Sequence, residues 1–207
     1  MDELRYRPLE AGDLDEMRQL HGEWFPLKYP ESFYSSAVEG KYFSLVATFE
    51  WEGREVFAGL ICITDEANDD APVPPDVRSA YILTLGVVDG YRRRGLAREL
   101  LRRSIEHYEG DARVKLVYLH VIPYNTAAIR LYERNGFERL QELSDFYRIG
   151  DKMYDAYLYG YYINGGLPPL GYRLRRVLQS GFGGFTNLLR SAFRCRPPEV
   201  DDDDDGK

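Results

Sequence analysis

The spacing most specific for chemistry lies in one loop, Asp89-Gly-Tyr-Arg92-Arg93-Arg94-Gly95-Leu96-Ala97. The β-rich run Ser79–Val88 leads into this loop, and a helical pattern begins at Gly95. Because Gly95 and Ala97 are small, an anion could approach the backbone N–H groups that open the helix. Three neighbouring arginines would add positive charge, so the loop is suited to a pyrophosphate. Out of context, the same pattern also fits an ordinary glycine turn with a solvated basic face.

A second segment places further polar residues between a strand and a helix. It runs Tyr118-Leu-His120-Val-Ile-Pro-Tyr-Asn125-Thr-Ala-Ala-Ile-Arg-Leu-Tyr132-Glu-Arg-Asn-Gly136-Phe137. The pattern predicts a buried strand over Val114–Ile122, followed by a helix over Thr126–Asn135. Asn125 is expected to cap this helix, and Gly136 is expected to end it.

Seven strands and four helices are predicted to position these two segments. The strands cover Leu4–Leu9, Tyr42–Glu50, Glu55–Thr64, Ser79–Val88, Val114–Ile122, Phe137–Tyr147 and Lys152–Ile163. The first helix is expected to follow Asp13 as its N-cap, and the others cover Glu31–Glu39, Gly95–Tyr108 and Thr126–Asn135. This order predicts an α+β fold in which helices cover the faces of a mixed sheet.

The composition predicts one globular domain with an appendage. The 207 residues are 44% hydrophobic and 29% charged, which allows a full core. The net charge of −7 argues against general nucleic-acid binding. Cys62 and Cys195 belong to no CxxC or Cys/His cluster, so no metal is expected. Because the sequence shows neither a signal peptide nor an apolar run of about 20 residues, the body is expected to face the cytosol.

The two segments together resemble the GCN5-related N-acetyltransferases, the GNAT superfamily. Arg92-x-x-Gly95-x-Ala97 is similar to their Q/R-x-x-G-x-G/A signature, and the segment from Tyr118 to Phe137 is similar to their second half. The resemblance covers residues 1–166 and implies the GNAT fold, a mixed, mostly antiparallel seven-stranded sheet with helices on both faces. It also implies acetyl-CoA as the acyl donor.

Further stretches resemble the N-terminal acetyltransferases of the NatF type. They are Trp24-Phe25-Pro26, Tyr29-Pro30, Phe43-Ser44-Leu45, Ala80-Tyr81-Ile82-Leu83, Leu85-Gly86-Val87-Val88, Tyr118-Leu119-His120-Val121 and Tyr162-Ile163-Asn164-Gly165-Gly166. This resemblance implies acetylation of the α-amine of proteins that begin with Met followed by a hydrophobic residue or Lys. It also implies a Golgi-type membrane address. Two features differ from the family: the loop Asp65–Arg78 is shorter, and Lys28 stands where the family has Glu.

The resemblance implies roles for individual residues. Tyr81 and His120, on strands that are neighbours in this fold, match catalytic positions. They are predicted to act as a water-mediated base pair for an α-amine, whose pKa is near ~8. Tyr132 matches the general acid for the departing thiolate. The simpler alternatives are a packed Tyr81, a core His120 and a Tyr132 that stacks on the core or the cofactor.

The remaining predicted contacts fall into two groups. Contacts to the cofactor are assigned to Asn125 and Tyr132 and to a strand end and loop, comprising Leu85, Val87, Val88, Arg92, Arg93, Arg94, Gly95, Leu96 and Ala97. The backbone N–H groups of Val87 and Val88 are predicted to bind the pantetheine or the thioester oxygen. An aromatic pocket for the peptide is assigned to Phe25, Pro26, Leu27, Lys28, Tyr29, Phe146 and Tyr147. Two or three of these pocket residues could belong simply to the core.

Residues 167–207 form a separate basic segment with an acidic end. From Leu174 onward, apolar residues recur at helical spacing, and the opposite side carries Arg173, Arg176, Asn187, Arg190 and Arg194. Glycines at 181, 183 and 184 favour two amphipathic helices over one. The pattern predicts binding to a membrane surface, and docking on the acidic body or on a partner is the alternative. The run Asp201–Asp205 has no evident role.

Three functions are compatible with these residues. The first is an N-terminal acetyltransferase at the cytosolic face of a membrane, expected to be that of the Golgi. The second is a lysine (histone-type) acetyltransferase, which uses the same chemistry. The third is a catalytically silent acyl-CoA-binding module tethered to a membrane. The presence of Tyr81, His120 and Tyr132 beside an intact loop favours an enzyme, because a binding module needs only the loop.

Overall fold

Seven strands form one sheet in the computed structural model, which describes residues 3–65, 73–74 and 77–168. The strands are β1 (Arg5–Arg7), β2 (Phe43–Trp51), β3 (Arg54–Thr64), β4 (Arg78–Val87), β5 (Val114–Val121), β6 (Glu138–Ile149) and β7 (Lys152–Tyr162). Their order across the sheet is β1-β2-β3-β4-β5-β7-β6. Only β4 and β5 are parallel, and every other neighbouring pair in the described sheet is antiparallel. The predicted α+β class and mostly antiparallel seven-stranded sheet are confirmed.

Two helices cover each face of the sheet. On one face lie α1 (Leu14–Trp24) and α2 (Glu31–Val38), whose Met17 and Phe33 share a core with Val46 of β2. On the other face lie α3 (Leu96–Glu109) and α4 (Thr126–Arg134). Residues four apart share one side of a helix, and α3 accordingly buries Leu96, Leu100, Leu101, Ser104 and Tyr108. Among the described residues, no helix has the length and apolar character needed to cross a membrane.

The predicted elements of the body are all present, with small shifts at their ends. β1 is shorter than predicted and ends before Pro8, which has no N–H to donate to a neighbouring strand. Asp13 stands at the predicted N-cap position of α1, but its side chain does not cap the helix. Instead, its carboxylate accepts the Glu10 N–H at 2.8 Å and pairs with Arg7 at 2.6 Å. The capping role predicted for Asp13 is therefore wrong. The predicted tail helices lie outside the described residues.

The Asn164-Gly165-Gly166 turn fastens the end of β7 to the turn between α3 and β5. Asn164 Nδ2 lies 3.2, 2.9 and 3.0 Å from the carbonyl oxygens of Tyr108, Asp111 and Val114. Lys115 Nζ donates to the Asn164 carbonyl at 2.7 Å. A Cβ on Gly166 would lie 2.1 Å from the Lys115 carbonyl oxygen, so only glycine fits there. The body therefore ends at a fixed position beside the start of β5.

A buried histidine lies among aromatic rings of α1, α2 and the segment between them. His21 is 1% exposed, and five ring centroids lie between 5.2 and 6.1 Å from its own, those of Trp24, Phe25, Tyr29, Phe33 and Tyr34. Within the described part of the chain, neither ring nitrogen of His21 has a hydrogen-bond partner. Burial lowers the pKa of His21 to about 4, so the imidazole is neutral at pH 7.

The protein is expected to lose stability as the pH falls through the range set by His21. Its pKa is about 4 in the folded state against an ordinary value of 6.5, so only the unfolded chain binds a proton between these values. The free energy of unfolding should therefore fall by up to about 3 kcal/mol as the pH falls from 6.5 to 4. Urea titrations at pH 7 and pH 4.5 would measure this change. His21→Leu should remove the part of this fall that comes from His21 and leave the part that comes from His120, whose pKa burial also lowers to about 4. An identical fall in that variant would contradict the assignment.

Candidate active site

The parallel strands β4 and β5 separate halfway along their length and leave a cleft. Their pairing runs from Arg78 opposite Val114 to Tyr81 opposite Tyr118, although β4 continues to Val87. The pairing of β4 with β3 explains this separation. Cys62 of β3 lies opposite Thr84, whereas the next residue, Ile63, lies opposite Ile82. One residue of β4 between these positions is extra, and such a bulge bends a strand away from its neighbour.

The far half of β4 directs alternate backbone groups into this cleft. Val88 N–H donates to the Ala58 carbonyl at 3.0 Å, so the even-numbered residues of this segment bond to β3. The N–H groups of Leu85 and Val87 consequently point away from β3, towards the side where β5 has separated. The donor role predicted for the Val88 N–H is wrong, because that group is already bonded. For Leu85 and Val87 the predicted contact to the cofactor stays a prediction, and the geometry favours it.

The loop after β4 presents the first turn of α3 as an anion site. Gly95 has a φ of 88° and Arg93 a φ of 59°, and these left-handed residues turn the chain into the helix. The first backbone bond of α3 runs from Glu99 N–H to the Gly95 carbonyl at 3.0 Å. The N–H groups of residues 96–98 therefore have no acceptor within the helix. Their partial positive charge is suited to a phosphate, as predicted for Leu96 and Ala97.

The three arginines of this loop differ in their contacts. Arg92 Nε donates to the Val87 carbonyl at 2.9 Å, and its guanidinium pairs with Asp89 at 2.8 Å. Arg92 thus fastens the loop to the end of β4. Arg93 and Arg94 are exposed, and the Arg94 guanidinium lies 5.6 Å from the centroid of the Tyr91 ring. Their predicted contact to a pyrophosphate stays a prediction.

Tyr81 and His120 meet where β4 and β5 begin to separate. His120 Nδ1 lies 3.1 Å from Tyr81 Oη. The Phe146 ring stacks on the imidazole at 4.1 Å and 26°, and the His120 side chain is buried. The sequence analysis expected this pair to be adjacent, and the structure brings the two side chains into hydrogen-bond contact.

Burial determines the protonation state of this pair. It lowers the pKa of His120 to about 4, so the imidazole is neutral at pH 7 and can accept a proton. Within the described residues, Nε2 of His120 has no hydrogen-bond partner. In the tautomer in which Nδ1–H donates to Tyr81, Nε2 carries a free lone pair. That form provides the free lone pair that a general base needs.

Besides β4 and β5, two further elements contribute tyrosines to the site: α4 carries Tyr132 and β6 carries Tyr147. Burial raises the pKa of Tyr132 well above its ordinary value, so its hydroxyl stays protonated. Burial also raises the pKa of Tyr147, and electrostatic interactions with Tyr29 and Tyr132 raise it further. The segment 25–30, β6 and α4 therefore meet at one place. Tyr132 is buried in the core beside Phe137, so both interpretations of it, acid and packed aromatic, remain compatible with the structure.

Asn125 and the predicted peptide pocket are placed as follows. Asn125 Oδ1 accepts the Ala128 N–H at 3.1 Å, which confirms its predicted cap of α4. Phe25 and Tyr29 are half-buried, with ring centroids 5.9 Å apart. Phe146 is buried, so it belongs to the core as well as to the site. Leu27 is half-buried, while Pro26 and Lys28 are exposed at the rim.

Trp24 and Gly86 form a contact that the sequence analysis missed. A Cβ on Gly86 would lie 2.0 Å from Trp24 Cε3, so the indole packs directly on the backbone of β4. This contact lies between Leu85 and Val87, the residues whose N–H groups point into the cleft. A cavity of about 350 Å³ adjoins it, lined by Glu23, Trp24, Val88, Asp89 and Arg92. The available signal was a glycine inside an otherwise β-branched and apolar run, which marks a close approach to the backbone.

Comparisons with known proteins agree with this geometry. The sequence profile of the acetyltransferase (GNAT) family matches residues 14–137. N-alpha-acetyltransferase 60 of Danio rerio is 37% identical over 182 residues, which cover 82% of this chain and 74% of that protein. Histone acetyltransferase MCC1 of Arabidopsis thaliana is 36% identical over 184 residues, covering 80% of this chain and 72% of that protein.

A solved structure agrees with the fold as well. Arabidopsis thaliana NAA60 in complex with a bisubstrate analogue superposes with a TM-score of 0.73 at 33% identity, covering 79% of this chain and 100% of that chain. In its complex with acetyl-CoA, the same protein gives a TM-score of 0.71 at 33% identity, with the same coverage. Residues 14–137, which the family profile matches, include both the loop after β4 and the segment around α4. The chain described here therefore belongs to the GNAT family of acetyltransferases.

Proposed function

We propose that this protein is an N-terminal acetyltransferase. It transfers the acetyl group of acetyl-CoA to the α-amine of proteins that begin with methionine followed by a hydrophobic residue or lysine. The observation that carries the proposal is the 3.1 Å contact between His120 and Tyr81, at the point where β4 and β5 begin to separate. The names of two relatives, N-alpha-acetyltransferase 60 and NAA60, support transfer to an α-amine.

The proposed mechanism is direct attack of the α-amine on the acetyl group. When bound, acetyl-CoA supplies an acetyl carbon activated by its thioester. His120, neutral at pH 7 and supported by Tyr81, takes up the proton that the attacking amine loses, through one water molecule. In this proposal the N–H groups of Leu85 and Val87 stabilise the negative charge that develops on the carbonyl oxygen. Tyr132, protonated at neutral pH, donates a proton to the departing sulfur.

The peptide side of the cleft is assigned to the aromatic residues of the 25–30 segment and β6. Phe25, Tyr29, Phe146 and Tyr147 present apolar rings that would hold the methionine side chain. Tyrosine hydroxyls of this group would contact the peptide backbone. Lys28 is exposed at the rim, so its charge acts on the residues that follow the methionine.

A lysine acetyltransferase is the second candidate, because one relative is named histone acetyltransferase MCC1. The two activities differ in the amine that must enter the cleft. A lysine side chain reaches the reactive position from a peptide that lies across the mouth, whereas an α-amine enters with the peptide end first. Blocking the α-amine of a lysine-containing peptide therefore separates the two.

The test incubates the purified full chain with acetyl-CoA and follows the release of free thiol. The peptides begin Met-Leu, Met-Lys, Ser-Glu, N-acetylated Met-Leu or N-acetylated Met-Lys. We expect turnover on the free Met-Leu and Met-Lys peptides, at least about tenfold slower turnover on Ser-Glu, and none on the blocked peptides. Equal turnover on blocked and free Met-Lys would instead establish the lysine acetyltransferase. Tight binding of acetyl-CoA without turnover would favour the silent binding module.

The proposed location is the cytosolic face of a membrane of the Golgi type, with residues 167–207 as the attachment. Support comes from the sequence, in which apolar residues recur at helical spacing from Leu174 onward and the opposite side carries Arg173, Arg176, Asn187, Arg190 and Arg194. Residues 169–207 lie outside the described part of the chain. A fluorescent fusion should leave the membrane when residues 167–207 are deleted, and unchanged localisation would count against the proposal.

A further inference from the structure

The edge strand β6 carries a wide bulge directly beside the catalytic pair. Leu143 pairs with Ala156 and Tyr147 pairs with Tyr154, so four steps along β6 lie opposite two steps along β7. Asp145, within this bulge, has a φ of 53°. A residue with a side chain adopts this left-handed conformation at some cost, although aspartate tolerates it better than most. The bulge therefore needs an interaction that holds it in place.

Asp155 on the neighbouring strand supplies that interaction. Its Oδ1 accepts the Asp145 N–H at 3.0 Å. The residues on either side of Asp155 are Tyr154 and Ala156, which pair with the two ends of the bulge. A carboxylate thus takes the place of the backbone acceptor that the bulge has removed from β7.

The bulge in turn places Phe146 on His120. Phe146 follows Asp145 in the chain, is buried, and stacks on the imidazole with a centroid distance of 4.1 Å. The direction of the Phe146 side chain depends on the backbone conformation of Asp145, which is left-handed. A bulge that relaxed to regular pairing would shift Phe146 to a different register and uncover the imidazole.

We propose that Asp155 is a positioning residue, which holds the β6 bulge in the form that stacks Phe146 on His120. Asp155 does not touch the reacting atoms. It acts through Asp145 and Phe146, so that the Phe146 ring covers one face of the His120 imidazole. The catalytic meaning of this arrangement rests on the proposed function, whereas its effect on His120 does not.

The pKa of His120 should report directly on the stacking of Phe146, because of the groups that face the imidazole. The titratable residues among them are Tyr81 of β4 and Tyr118 of β5, whose rings contact His120, and Tyr147 of β6 beside Phe146. On β7 its partner is Leu158, which does not titrate. Tyrosines are uncharged at neutral pH, so burial is the cause that lowers the pKa of His120. Uncovering the ring should raise that pKa towards its ordinary value of 6.5.

The experiment compares Asp155→Ala and Asp155→Asn in the full chain by NMR titration of the histidine ring signals. The chain has three histidines, so the His120 signal can be assigned by single replacements. In Asp155→Ala, the titration midpoint of His120 should rise by about one pH unit. With a Met-Leu peptide, its kcat/KM should fall about fivefold to tenfold, while the KM for acetyl-CoA stays unchanged. Asp155→Asn should stay close to wild type in the His120 midpoint and in kcat/KM, because its amide oxygen still accepts the Asp145 N–H.

Two further variants make the comparison specific. Asp151→Ala removes the same charge from an exposed turn of the same hairpin and should leave the His120 midpoint unchanged. Asp145→Val should reproduce the rise, because a β-branched residue disfavours a positive φ. An unmoved midpoint in Asp155→Ala, or equal impairment of Asp155→Asn and Asp155→Ala, would overturn the proposal. A shifted midpoint in a protein that acetylates no peptide would support the positioning role and reject the proposed function.

Discussion

Replacing His120 by alanine is expected to lower kcat on a Met-Leu peptide about 100-fold or more, the usual effect of removing a general base. The affinity for acetyl-CoA should stay unchanged, because the cofactor contacts are assigned to β4, the following loop and α4. Tyr81→Phe removes only the hydroxyl that contacts His120 at 3.1 Å and should give a smaller loss of about tenfold. Steady-state kinetics and calorimetric titration of acetyl-CoA would measure both quantities.

A matched control is available within the same chain. His107 lies near the end of α3, is exposed, and stacks on Phe43 at 4.3 Å. His107→Ala should therefore retain the kcat of the wild type. If His120→Ala kept more than about half of the wild-type kcat, the assigned base would be wrong, and a water molecule or the substrate itself would have to fill that role.

The pH dependence should separate the enzyme base from the substrate amine. Burial lowers the pKa of His120 to about 4, so protonation of the imidazole should abolish activity only near that pH. Above it, kcat/KM should rise until the α-amine of the peptide loses its proton, near pH ~8. A midpoint near 6.5 in the wild type would mean that His120 is more hydrated during turnover than in the structure.

Gly86→Ala is expected to have the second large effect, on both stability and cofactor binding. The added Cβ would lie 2.0 to 2.6 Å from three carbon atoms of the Trp24 indole, which forces the indole or β4 to move. Overpacking of this kind costs about 1 to 3 kcal/mol in the free energy of unfolding. Because Leu85 and Val87 flank the glycine, their N–H groups should also shift, and the Kd for acetyl-CoA should rise about tenfold. Urea unfolding and calorimetric titration would measure the two changes.

The control for this variant is Gly90→Ala in the loop just beyond β4. A Cβ at Gly90 would meet nothing within 4 Å, and the φ there is not positive, so little change is expected. The double variant Trp24→Ala with Gly86→Ala should recover part of the cofactor affinity, because the steric conflict is then removed. Equal stability of Gly86→Ala and Gly90→Ala would contradict the contact between the indole and the strand.

The extent to which the site could be predicted differs between its parts. Local backbone signals sufficed for the loop and for the cap of α4, since Gly95 has the required positive φ and Asn125 caps α4 as expected. They did not suffice for α1, because the Asp13 carboxylate pairs with Arg7 instead of capping the helix. Tyr81 and His120 could be paired only through the family resemblance, because they are far apart in sequence. Hydrophobic periodicity alone would not have brought these two residues together.

Other parts of the site depend on long-range geometry that residue types do not reveal. The direction of the Leu85 and Val87 N–H groups follows from the register with β3, and the same register showed that the Val88 N–H is already bonded. The contact of Trp24 with Gly86 joins an α-helix to a strand that is distant along the chain. The Asp155 contact depends on a bulge in β6, and two added residues in a strand leave little trace in its pattern of polar and apolar residues.

The turn at Asn164 has a consequence for how the enzyme faces its surroundings. It fixes the last residues of the body beside Val114, at the start of β5, whereas the loop after β4 and the Asn125 cap lie at the opposite ends of the two parallel strands. Eight residues of β5 separate the two ends, a rise of about 25 Å. The described body therefore ends at the end of β5 that lies opposite the cleft. A surface that binds this end of the body would leave the cleft facing away from that surface. The cleft would then be accessible to polypeptides in the surrounding solution.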